Sequence, residues 1–128
     1  MALGNIDVVR DQYVAVNERD FERAMSHYAD DVVLVVRGRG ITSGTFEGRD
    51  ATGEWFGDWF RTFDRDSRFE IRELDEREDG SVRLAADFEG RGRASGARVK
   101  GTVVWEYRFR DGKIVHLEGA AGLEATGA

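Results

Sequence analysis

The sequence predicts an α+β domain whose helices come first and cover one face of a curved antiparallel β-sheet. Two observations carry that class. Up to about Phe63, apolar residues recur mostly at helical spacing, interrupted by one run of β-branched residues. From Arg68 onward they alternate at strand spacing between Asp-Gly and glycine-rich turns.

Asn5 is placed to cap a first helix in which Ile6, Val9, Tyr13 and Val16 form one stripe. Asp20 is placed to cap a short second helix with Phe21, Ala24, Met25 and Tyr28 on one face. The polar Asn17-Glu18-Arg19 between them is the connection of an αα-hairpin. Asp31–Arg37 contains Val32-Val33-Leu34-Val35-Val36, a buried strand. A turn from Arg37 to Gly44 leads to a short strand around Thr45–Glu47, and Asp50 is placed to cap a third helix. On that helix Phe56, Trp59, Phe60 and Phe63 fall at i, i+3, i+4 and i+7, with Trp55 beside Trp59.

Arg68–Glu76 alternates loosely, Asp79-Gly80 turns, and Val82–Glu89 carries Val82, Leu84, Ala86 and Phe88 on one face. Gly90–Gly96 then turns into Val99–Phe109, and Asp111-Gly112 precedes Ile114–Glu118. The small-residue tail Gly119–Ala128 is expected to fray. The chain of 128 residues fits a single domain, 1–128, with a core of about 5–120.

Composition excludes several functions. There are no cysteines, hence no disulfide, thiolate metal site or cysteine nucleophile. Net charge is −6, from 19 basic and 25 acidic residues, which disfavours nucleic acid as a partner. No apolar run is long enough to span a membrane, and the first residues, Met1-Ala2-Leu3-Gly4-Asn5, lack the features of a secretion signal. The expected location is cytoplasmic. Acids crowd Asp64–Asp79 and bases crowd Gly90–Lys100, as solvated hairpins or complementary contacts would have them.

Several local signatures run in one order along the chain. Tyr28-Ala29-Asp30-Asp31-Val32 enters the first strand, and Gly44-Thr45-Phe46-Glu47-Gly48-Arg49 leads to the third helix. Ser95-Gly96 opens the fifth strand, and Arg110-Asp111-Gly112-Lys113-Ile114 precedes the last. With these the chain resembles the nuclear transport factor 2-like superfamily, and within it the SnoaL-like, polyketide cyclase-like branch. The resemblance implies a cone-shaped α+β barrel, related to the cystatin-like fold, whose sheet wraps a pocket closed by helices. It also implies dimers formed through the outer face of the sheet.

The catalytic residues that the resemblance implies are not in place. Where ketosteroid isomerase-like members carry a tyrosine, a carboxylate base and a second acid, this chain has Gln12, Val36 and Trp105, with Tyr13 one residue out of register. The acid that cyclases carry on the last strand falls nearest Gly119. His116 and Glu118 share the opposite strand face with Ile114 and would need a bulge to turn inward. Arg83, Asp87 and Arg108, the charges that would serve an epoxide hydrolase-like site, alternate onto the outward face. His116-x-Glu118 lacks a third metal ligand, and His27 reads as a surface residue. The segments Gly38–Gly44 and Gly90–Gly96 lack the context of a phosphate loop and read as turns. No metal or other cofactor is expected.

Inside the expected cone stand Tyr13, Tyr28, Leu34, Val36, Trp55, Trp59, Trp105 and Tyr107, an apolar lining with a few polar tips. Tyr13 and Tyr28 are the candidate donors or weak acids, should there be isomerase-, cyclase- or hydrolase-type chemistry. Two functions are compatible with this interior: a pocket for a hydrophobic small molecule, or a filled core in a non-catalytic dimeric binding or scaffold module. A cavity reached past Trp55 or Trp59 favours the first. A homodimer is expected through the sheet face bearing Glu106, Arg108, His116 and Glu118.

Overall fold

The computed structural model describes residues 4–39 and 42–126. The expectations for Met1–Leu3, for the middle of the Arg37–Gly44 turn and for the last two residues lie outside them. The order is α1 (Asn5–Asn17), α2 (Phe21–Met25), β1 (Tyr28–Arg39), β2 (Gly44–Glu47), α3 (Arg49–Thr62), β3 (Arg68–Glu76), β4 (Val82–Arg91), β5 (Arg98–Arg110) and β6 (Lys113–Thr126). The strands form one open sheet in the order β2-β1-β6-β5-β4-β3. All neighbours are antiparallel except β1 and β6, which run parallel. No helix is long and apolar enough to cross a membrane among the described residues.

Two of the three expected caps are occupied differently. Asp20 caps α2, accepting from the Arg23 N–H at 3.2 Å. Asn5 lies inside α1, whose cap is Gly4, and its amide instead donates to the Gly80 carbonyl at the β3–β4 turn. Helix α3 begins before Asp50, because Gly48 takes a left-handed φ of 94° that turns the chain out of β2.

Bulges set which face each strand shows. An extra residue at Arg72 keeps Phe69, Ile71 and Leu74 together against the core, which explains the loose alternation of β3. On β6, Arg108 pairs with His116 but Phe109 pairs with Ile114, so Val115 is the extra residue. Ile114 and Leu117 are therefore both buried, not on opposite faces, and His116 and Glu118 still point outward.

The expected frayed tail is strand. Strand β6 continues past Glu118 and pairs with β5 as far as Arg98↔Thr126, burying Ala121 and Leu123. Its small residues permit a tight seam: a side chain on Gly38 would stand 1.9 Å from the Ala121 carbonyl oxygen.

Edge strand β3 is tied to α1 at its far end by Glu76, which accepts from the Ile6 N–H at 3.2 Å, and at its near end by Asn17. The Asn17 amide donates to the Phe69 carbonyl and accepts from the Phe69 N–H, both at 3.0 Å. Those two backbone groups face away from β4 and would otherwise be left to solvent. Arg19 adds bonds to the Ser67 carbonyl and hydroxyl at 2.7 and 2.8 Å, its guanidinium lying over the Phe60 ring. Asn17→Ala should therefore lower stability to urea by about 1–3 kcal/mol, two net hydrogen bonds. An unchanged unfolding midpoint would show that the tie contributes nothing.

Candidate functional site

The concave face of the sheet is covered by the aromatic face of α3. The Trp59 ring lies 5.0 Å from that of Phe88, 5.6 Å from Trp55 and Phe63, and 5.7 Å from Phe69. Trp55 meets Trp105 edge-on at 5.9 Å, and Phe56 lies 6.2 Å from Tyr28. All eight side chains expected inside (Tyr13, Tyr28, Leu34, Val36, Trp55, Trp59, Trp105 and Tyr107) are buried. Burial is common to a packed core and to a ligand pocket, so the spaces between the rings decide.

Those spaces are small. Between Trp55, Trp59 and Trp105 only about 10 Å³ is open, about one water molecule. A second space of about 130 Å³ lies between the three helices. The two share Gln12, Val16 and Phe56 as their common wall. Phe56 thus stands between the larger space and the smaller one, and neither Trp55 nor Trp59 lines the larger.

The polar atoms divide into two sets. Tyr107 donates its hydroxyl to Gln12 Oε1 at 3.1 Å. Trp55 donates its indole N–H to the Thr42 carbonyl at 2.9 Å. By contrast the Tyr28 hydroxyl and the Trp59 indole nitrogen, both buried, have no partner among the described residues. Burial pushes the hydroxyls of Tyr13, Tyr28 and Tyr107 well above the ordinary phenol range, so all three stay protonated near neutral pH. Among the described residues the fully enclosed polar side chains are Gln12, Thr52, Ser67 and Ser81, with no carboxylate or imidazole.

Gly119 is the residue nearest to where the resemblance would put the cyclase acid, and it leaves little room for a side chain. A Cβ there would stand 2.3 Å from the Val104 carbonyl oxygen and 2.4 Å from the Trp105 indole. Trp105 thus fills the space that a side chain on β6 would need.

The charged candidates lie elsewhere. His116 Nε2 meets Glu118 Oε1 at 3.1 Å, and Glu118 also takes Arg37 at 3.2 Å, on the outer sheet face. These partners, His116 first, hold the Glu118 carboxyl below its ordinary range. Arg83, Asp87 and Arg108 are on that face too, with Asp87 bound by Arg72 at 2.8 Å. His27 is not a free surface residue: it is half-buried against Asp11 at 2.7 Å, and Asp11 also binds Arg23. Among the described residues no three side chains of metal-ligating type converge.

Sequence reasoning missed Gln12, Phe69 and the His27–Asp11 pair. Gln12 carried a signal, since it stood in the register of a tyrosine. Asp11 and His27 meet only because the αα-hairpin folds back.

A family model described as SnoaL-like domain matches residues 9–117. No curated protein matches the sequence. Among solved structures, Bal32a from a soil-derived mobile gene cassette superposes with a TM-score of 0.84 at 19% identity, over 92% of this chain and 88% of that one. SalBIII, an epoxide hydrolase/cyclase-like enzyme in pyran ring formation in the polyether salinomycin, gives 0.79 at 22% identity over 95% of both chains. Rv0760c from Mycobacterium tuberculosis, in complex with estradiol-17beta-hemisuccinate, gives 0.76 at 18% identity over 91% of this chain and 92% of that one. At these identities the likeness is one of fold.

Replacing Gly119 by alanine should cost about 1–3 kcal/mol through overpacking against Trp105 and the β5 backbone. Denaturant unfolding of Gly119→Ala measures it; wild-type stability would show that Trp105 yields freely.

Proposed function

The chain belongs to the SnoaL-like domain family, and we propose that it binds an uncharged, flat, hydrophobic small molecule carrying a hydrogen-bond acceptor. The observation that carries this is the pair of buried donors without acceptors, Tyr28 Oη and Trp59 Nε1, in an otherwise apolar interior. A buried unpaired donor costs about 1–3 kcal/mol, and such exceptions call for an explanation. A ligand oxygen would remove that cost. The estradiol derivative bound to Rv0760c supports a small-molecule occupant.

The free interior is closed, so binding must move the wall at Phe56 and pay for that change. Once bound, the molecule meets neutral donors only. Such groups polarise a carbonyl or hold a developing enolate; they do not take a proton from carbon. Isomerase-, cyclase- or hydrolase-type chemistry here would therefore rest on Tyr28, the buried tyrosine hydroxyl without a partner among the described residues. Acetophenone, a ring with one carbonyl acceptor, is the probe, and benzoate is its charged counterpart. Acetophenone should raise Tm and benzoate should not. Tyr28→Phe and Trp59→Phe should each weaken acetophenone binding by up to about tenfold, the net worth of one hydrogen bond. Equal stabilisation by both probes, or none by either, would refute the reading.

A second copy of the chain is the partner we propose for the outer sheet face. Its two ends carry opposite charge. Arg37, Arg77, Arg83 and Arg108 outnumber Glu106 and Glu118 around one depression. Glu70, Asp87, Glu89 and Glu124 outnumber Arg68 and Lys100 around the other. They lie about six residues apart along β5, or roughly 20 Å. A two-fold axis between them would lay each basic end on the partner's acidic end. Sedimentation should then show a dimer at low salt that weakens towards ~0.5 M salt, where such pairs are screened. A monomer at low salt and tens of micromolar protein would exclude this arrangement.

A further inference from the structure

Helix α3 carries two glycines in its interior, Gly53 and Gly57, one turn apart on one face. Glycine is the poorest helix former after proline, so each weakens a helix on which the interior depends. Packing does not demand them. A Cβ on Gly53 would lie 3.6 Å from Met25 Cε, an ordinary contact, and neither glycine has a positive φ. On Gly57 its nearest neighbour would be the Arg61 guanidinium, 3.1 Å away at the end of an exposed side chain.

What the glycines do provide is space. Both line the pocket of about 130 Å³ between the helices, with Val16, Phe21, Ala24 and Met25 around them. At its inner end stand Gln12 and Phe56. Gln12 has given its Oε1 to Tyr107, which leaves its amide N–H groups as donors. Phe56 is only half-buried, lines both spaces, and packs against Trp55 at 5.1 Å and Tyr28 at 6.2 Å. Swinging this one ring would join the outer pocket to the smaller space beside Trp59. An engineered apolar cavity of about 150 Å³ accepts benzene, so the joined volume suits a single ring.

We propose that Gly53 and Gly57 form the entrance of the binding site, with Phe56 as its door. The chemical class that passes is an uncharged apolar ring, because no ionised side chain lines the pocket. This inference rests on the interior-ligand reading above.

Stopped-flow tryptophan fluorescence with acetophenone tests it. Gly53→Leu, which fills the entrance, should slow association by about tenfold or more, as a step that must displace a side chain does. Phe56→Ala should speed it. Gly53→Ala adds one methyl, should raise Tm through helix propensity, and should slow association by a smaller factor; it serves if the leucine variant misfolds. Association at the wild-type rate in folded Gly53→Leu or Gly53→Ala would move the entrance elsewhere while the interior reading stands. Failure of the wild-type protein to bind acetophenone would remove both.

Discussion

The structure depends on the aromatic face of α3 lying in the hollow of the sheet. Trp59 touches the rings of Trp55, Phe63, Phe69 and Phe88, and so joins the helix to β3 and β4. Burying one such ring removes roughly 200 Å² from water, worth several kcal/mol. That contact fixes how far α3 stands from the sheet. It also sets how little room remains inside, and it strands the Trp59 indole N–H away from any acceptor.

The same packing fills the positions at which the resemblance would put acids. At the two strand positions where the resemblance would put acids stand Trp105 and, nearest the other, Gly119, and the Trp105 indole covers that glycine. The two positions are neighbours: a side chain at 119 would press on both the Trp105 indole and the Val104 carbonyl oxygen. Gln12, where the resemblance would put a tyrosine, accepts a hydrogen bond from Tyr107. What is left is a set of neutral donors, kept neutral by burial, in a family whose scaffold supports several unrelated chemistries.

The fold class was legible because hydrophobic period changes so clearly between α3 and the later strands. The interior of β5 was legible too: Val103, Trp105 and Tyr107 alternate and are buried as alternation requires. The misreadings have local causes. Gly119–Thr126 looked like a tail because its residues are small, yet smallness is what lets β6 lie against Gly38, Gly101 and Trp105. Asn5 and Asp50 looked like caps, but Gly80 takes the Asn5 amide and the left-handed Gly48 starts α3 earlier. The bulge at Val115 breaks simple parity and leaves no sequence signature. The parallel β1–β6 pairing and the ring-to-ring gaps depend on contacts distant in sequence, beyond what spacing conveys.

The central claim is that the interior opens to a ligand whose acceptor meets Trp59. Nitrogen–proton correlation spectra of the three tryptophan indoles address it directly, with Trp59→Phe assigning its signal. On saturation with acetophenone the Trp59 indole proton should move downfield. The Trp55 signal, already bonded to the Thr42 carbonyl, should stay close to its place. A Trp59 signal unmoved at saturation would mean that the interior is simply a core, and would contradict the account.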